Sequence, residues 1–141
     1  MITFNSIAQY SIPILILTML LLQIGDSVTL HTGVTDSQKH DLILWTFGPK
    51  NPDSLIAELN MKVHEITFSS EDIYRGRLHL ENQTGSLTIR DVRTTDAGVY
   101  QLQISNSKET LYKRFNIFVG TTRLCQIALK DSLLIHQKID F

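Results

Sequence analysis

The stretch Asp96-Ala97-Gly98-Val99-Tyr100-Gln101-Leu102 decides the fold. Its residue types make sense together only as the lead-in to one buried strand of a two-sheet β-sandwich. Tyr100 sits where a ring enters the core while its hydroxyl bonds back to the chain just upstream, the arrangement called a tyrosine corner. Gly98 leaves room for a tight chain reversal. Asp96 supplies a carboxylate to an arginine on a neighbouring strand, and Arg77 is the expected partner.

Working outward, period-2 alternation marks the other strands. Residues 26–32 place Val28, Leu30 and Thr32 on one face. Residues 41–47 carry the sole tryptophan, with Ile43, Trp45 and Phe47 directed inward and Leu42, Leu44 and Thr46 outward. Dense turn chemistry over 48–53 precedes two further strands at 54–59 and 62–68. Residues 77–81 and 85–90 alternate on either side of Asn82-Gln83-Thr84-Gly85, which predicts a hairpin presenting Asn82. The polar turn 106–110 leads into a last strand over 111–119, with Phe115, Ile117 and Val119 inward. No repeat of 20–50 residues recurs, which excludes solenoids and propellers.

A chain of 141 residues is one ordinary domain plus tails, and roughly 95 residues between Gly25 and Gly120 suffice for a sandwich core. The formal net charge of -1, with Lys and Arg scattered singly, offers no basic stripe for phosphates, so nucleic acid is not an expected partner. His31, His40, His64, His79 and His136 lack metal-ligand spacing. No phosphate loop or Gly-x-Ser-x-Gly elbow occurs, and the Glu71-Asp72 pair lies in a loop with no apolar pocket around it. No catalytic residue, metal site, cofactor or small-molecule substrate is therefore assigned. Asn82-Gln83-Thr84 is an N-glycosylation sequon on an accessible turn.

Residues 12–22 form an uncharged apolar run of the length of an export signal's core. Segment 1–24 is accordingly expected to be a signal peptide, or an uncleaved signal anchor if the run is extended over about 18 residues from Ile7 to Ile24. That anchor would be the only membrane contact. The alternative for the same run is a buried first strand or core helix. No Lys or Arg precedes it, and no small-x-small site follows it cleanly.

Taken together, Gly25 to Leu30, Trp45, Ser54 to Ala57, Arg77-Leu78, Gln83 to Ile89, Thr95 to Tyr100 and Glu109 to Phe115 carry a resemblance. Over residues 25–120 the chain resembles an immunoglobulin-like variable-type domain, all-β. More narrowly it resembles the N-terminal domain of the signalling lymphocytic activation molecule receptors, in the fish-like version. In such domains a half-cystine pair bridges the sheets beside the tryptophan; here its positions are Thr32 and Leu102, so the resemblance implies a V-type sandwich lacking the inter-sheet disulfide. The only cysteine, Cys125, falls outside residues 25–120 and is expected to be a free thiol in a flexible tail over 121–141, with intermolecular pairing in an oxidising compartment as the alternative. A missing bridge would ordinarily suggest a reducing compartment, but the apolar N-terminus argues for export, to the medium or the outer face of the plasma membrane.

The resemblance further implies recognition of an immunoglobulin-like domain on another cell-surface protein, homophilic or heterophilic, through the front sheet. Its outward residues would be Leu44, Thr46, Gln101, Gln103, Tyr112 and Arg114. Relatives continue into a second sandwich, a membrane span and a signalling tail, none of which is legible in Thr121 to Phe141. The alternative reading is a truncated, non-signalling soluble variant or gene fragment without a binding role.

Overall fold

A computed structural model describes residues 3–6, 15–34, 40–69 and 74–120. The expected tail over 121–141, Cys125, His136 and the Glu71-Asp72 pair lie outside the described residues. Among the described residues ten strands follow in chain order: β1 Thr3–Ser6, β2 Leu15–Gln23, β3 Val28–Leu30, β4 Leu42–Gly48, β5 Ser54–Asn60, β6 Glu65–Phe68, β7 Leu78–Leu80, β8 Leu87–Ile89, β9 Gly98–Ser105 and β10 Thr110–Gly120. They form a seven-stranded sheet in the order β1-β2-β10-β9-β4-β5-β6 and a three-stranded sheet in the order β3-β8-β7. Between the sheets, Ile43, Trp45, Tyr100, Leu102, Phe115 and Ile117 meet Val28, Leu30, Leu80, Leu87 and Ile89 in one continuous core.

Alternation explains which side chains enter that core, because successive residues of a strand point to opposite faces. Along β4, buried Ile43, Trp45 and Phe47 alternate with half-buried Leu42, Leu44 and Thr46. One irregularity interrupts this pattern: the pairing of β4 with β5 shifts between Trp45 and Thr46, so that Trp45 faces Ala57 but Thr46 faces Leu55. Ile56 is the extra residue, a β-bulge that buries two consecutive side chains, Ile56 and Ala57, and turns Leu55 outward.

The lead-in to β9 adopts the geometry expected of it. The Tyr100 hydroxyl donates to the Asp96 carbonyl oxygen at 2.7 Å and lies 2.7 Å from the Tyr74 hydroxyl. Burial pushes the Tyr100 phenol far above its ordinary range. Asp96, fully buried, accepts from both terminal nitrogens of Arg77 at 2.6 and 2.9 Å and from the Arg93 backbone N–H at 2.8 Å. These hydrogen bonds from Arg77 to the carboxylate hold the guanidinium above its usual range. Gly98, at φ +148°, brings the chain so close to the end of β4 that a Cβ there would lie 2.6 Å from the Gly48 carbonyl oxygen.

Thr32, one of the two positions that the resemblance assigns to a bridge, is held by polar bonds. The Thr32 hydroxyl donates to the Thr84 carbonyl at 2.8 Å, and the Thr32 N–H donates to Ser86 Oγ at 3.3 Å. Lys113, inward-facing opposite Leu102, reaches across with Nζ 2.9 Å from the Thr32 carbonyl oxygen. Burial lowers its pKa from the ordinary lysine value. Trp45 Nε1 donates to the Gly85 carbonyl at 2.8 Å, and its ring lies 5.7 Å from that of Phe115.

The apolar run read as an export segment contributes β2, which runs parallel to β10 from Leu15 beside Tyr112 to Gln23 beside Gly120. Leu20 and Leu22 face inward and are buried. The sheet thus extends N-terminal to Gly25, and a mature chain beginning at Gly25 would lack β2 and those two core side chains.

The buried Arg77–Asp96 pair generates a prediction. Asp96→Ala leaves a desolvated guanidinium unpaired and is expected to lower unfolding free energy by about 3–5 kcal/mol in chemical denaturation. Arg77→Met combined with Asp96→Leu removes both charges and should lose clearly less.

Candidate functional site

The outer face of the seven-stranded sheet brings the residues singled out from sequence into one patch. In register, Leu44 of β4 faces Gln103 of β9, which faces Tyr112 of β10; Thr46 faces Gln101, which faces Arg114. Residues directly opposite one another share a face, so the two rows form a continuous grid across three strands. All of these side chains are half-buried by their neighbours. Arg114 Nε donates to Gln101 Oε1 at 2.9 Å, which holds the guanidinium flat along the sheet. The Thr46 hydroxyl lies 3.4 Å from the Gln101 carbonyl oxygen.

Two residues of β5 complete the patch, of which alternation alone would have missed Leu55. Glu58 of β5 continues the row of Leu44, and Leu55 continues the row of Thr46. An unbroken period of two would have put Leu55 inside with Ala57 and Leu59; the bulge at Ile56 makes it outward and 38% exposed. The grid therefore carries a carboxylate on its β5 side, a guanidinium on its β10 side, Leu44 between Gln103 and Glu58, and Leu55 at its β5 border.

Asn82 is exposed in the turn between β7 and β8, on the smaller sheet and away from the grid. Glu81 organises that turn: one carboxylate oxygen accepts from the Thr84 hydroxyl at 2.7 Å and from the backbone N–H groups of Thr84 and Gln83 at 2.6 and 3.0 Å. Gly85, at φ +73°, closes the turn against Ile43, where a Cβ would meet the Ile43 side chain at 2.6 Å. The Thr84 hydroxyl, followed by the Thr84 and Gln83 amides, pulls the Glu81 pKa below its ordinary value.

His31, His64 and His79 are exposed at separate places on the sandwich. No group of three potential metal ligands converges among the described residues. No helix among them is long and apolar enough to cross a membrane.

The family model described as "Immunoglobulin V-set domain" matches residues 18–120. SLAM family member 5 of Mus musculus is 31% identical over 99 residues, which make up 68% of this chain and 28% of that protein. The chain thus spans little more than a quarter of the length of this relative. Among solved structures, CD84, described in connection with SLAM family function, superimposes with a TM-score of 0.58 at 23% identity, covering 73% of this chain and 96% of that one. The CD2-binding domain of CD58 gives 0.55 at 22% identity, covering 72% of this chain and 52% of that one.

The turn at Glu81 gives a pH signature. Because its pKa is lower folded than unfolded, the group contributes stability above the unfolded value near 4.5 that is lost as pH falls through the folded value. Glu81→Gln should therefore flatten the fall of thermal unfolding temperature with acidification below that range, while wild-type protein retains it.

Proposed function

The chain belongs to the immunoglobulin V-set family, and from that premise we propose that it is a recognition and adhesion module of immune-receptor type that binds an immunoglobulin-like domain of another protein through the outer face of its larger sheet. The observation that carries this reading is the grid of Leu44, Thr46, Gln101, Gln103, Tyr112 and Arg114, extended by Leu55 and Glu58. A face that mixes leucine, tyrosine, glutamine and one charge of each sign suits a modest, reversible contact better than an obligate one. Tyr112 and Arg114 are of the types that anchor such contacts, and Arg114 is preordered by Gln101.

The relatives support this class of partner. The solved CD58 domain is named for its binding to CD2, and the names of SLAM family member 5 and of the CD84 structure both refer to the SLAM family. We place the domain outside the cell, with glycan on Asn82. A glycan there projects from the turn of the smaller sheet and leaves the grid uncovered.

Two measurements test the proposal. In surface plasmon resonance against immunoglobulin-like ectodomains, a second copy of this chain included, Leu44→Asp and Arg114→Glu should each weaken the responding pair at least tenfold while thermal unfolding stays within about 2 °C, since both side chains lie on the outer face and such changes cost little stability. Loss of binding that tracks loss of folding would remove the case for the grid. Mass spectrometry of chain recovered from secretory cells should show glycan on Asn82; unmodified Asn82 on exported protein would overturn that part.

A further inference from the structure

Leu15–Gln23 is the segment whose composition and structure point to different fates. As β2 it is an interior strand, paired parallel with β10 along all nine of its residues and antiparallel with β1 from Leu17 to Leu20. Leu20 and Leu22 are buried in the core, while Leu17, Met19 and Leu21 alternate with them on the outer face. A strand that is apolar on both faces has the composition of a leader's core, so composition does not separate the two. The family match nevertheless begins at residue 18, inside this strand.

The turn after β2 does separate them. Gly25 is the small residue at which a leader would be cut, but its backbone gives another reason for glycine: at φ +91° it turns the chain from the larger sheet toward β3 of the smaller one. The bonds around it close the seam between the sheets. The Gly25 N–H donates to the Val92 carbonyl oxygen at 2.8 Å, the Val92 N–H donates to the Asp26 carbonyl oxygen at 2.8 Å, and the Ile24 N–H donates to the Gly120 carbonyl oxygen at 3.0 Å. The Asp26 carboxylate accepts from the Gln23 N–H at 2.9 Å. A cut at Gly25 would remove β1 and β2 together and leave β10, the strand that carries Tyr112 and Arg114, as an open edge. Membrane insertion is equally incompatible with this fold. In hydrocarbon the backbone groups of the run must bond within its own helix, whereas in β2 they bond to β1 and β10.

We propose that Leu15–Gln23 stays in the working protein as a strand of the sandwich, that any N-terminal processing falls before Leu15, and that the folded domain and a membrane-held run are mutually exclusive states of this chain. The inference is independent of what the grid binds.

The full-length chain, expressed in secretory cells and recovered from medium and membranes together, supplies the test. Mass spectrometry should place its N-terminus upstream of Leu15. In a Cys125→Ser background, Met19→Cys with Asn116→Cys, neighbours in register on the outer face, should form an intrachain disulfide under mild oxidation. Met19→Cys with Thr67→Cys, on β6 at the far side of the sheet, should form it at least tenfold more slowly. Two alanine variants carry the test if the cysteine variants fold poorly. Leu20→Ala and Leu21→Ala remove the same apolar groups from the run, so a leader or an anchor responds to both alike. In a strand, Leu20→Ala should lower the thermal unfolding temperature by about 5 °C or more, and Leu21→Ala by less than half as much. An N-terminus at or beyond Gly25 would overturn the proposal in favour of a cleaved leader. An intact N-terminus in alkali-resistant membranes without the cross-link would overturn it in favour of an anchor, and equal shifts from the two alanines would take β2 out of the fold.

Discussion

A carboxylate without solvent exposure sits at the turn before β9, and the sandwich depends on how it is satisfied. Asp96 receives both terminal nitrogens of Arg77 and the Arg93 amide, and its own carbonyl oxygen receives the Tyr100 hydroxyl. Left unpaired, such a charge would be costly; bonded on every side, it ties the segment before β7 to the start of β9. That tie sets the point at which β9 enters the larger sheet, and β9 is the strand on which both β4 and β10 are registered. The grid of outward residues is a downstream consequence of one buried ion pair.

The second constraint is the core beside Trp45. The resemblance assigns an inter-sheet bridge to Thr32 and Leu102, and these two positions are satisfied differently. Leu102 packs as an apolar residue next to Trp45, while Thr32 is held by Thr84, Ser86 and the Lys113 ammonium. Hydrogen bonds of this kind contribute about 0.5–1.5 kcal/mol each, so several together approach the roughly 2–4 kcal/mol of a typical disulfide. Unlike a covalent link, they act only in the folded state. The sandwich without its bridge is thus stabilised by native contacts and not by restriction of the unfolded chain.

The front face combines these two outcomes with a third, local one. The bulge at Ile56 lets β5 bury both Ile56 and Ala57 and releases Leu55 to the surface. It widens the patch toward β5 by adding Leu55 beside the outward Glu58, on the side opposite Arg114. The resulting surface interleaves apolar Leu44 and Leu55 with polar Thr46, Gln101 and Gln103 and one charge of each sign, a mixture that suits reversible protein contact.

Much of this was legible in the linear chain, for identifiable reasons. The spacing of Asp96, Gly98 and Tyr100, the single tryptophan at Trp45 and strict alternation in residues 41–47 and 111–119 each carry local geometry, because a period of two and a tyrosine corner are properties of a few neighbouring residues. From these followed the two-sheet fold, the pairing of Arg77 with Asp96 and the outward set on β4, β9 and β10. The bulge at Ile56 was not legible, since its cause is register against β4 and not any residue in Ser54–Asn60. Nor was the partnership of Lys113 with Thr32, eighty-one positions apart, or the place of Leu15–Gln23 alongside β10. An apolar run has the same composition whether it is destined for a membrane or a sheet, and only the unpaired edge of β10 and the space left for Leu20 and Leu22 gave it a position in the fold.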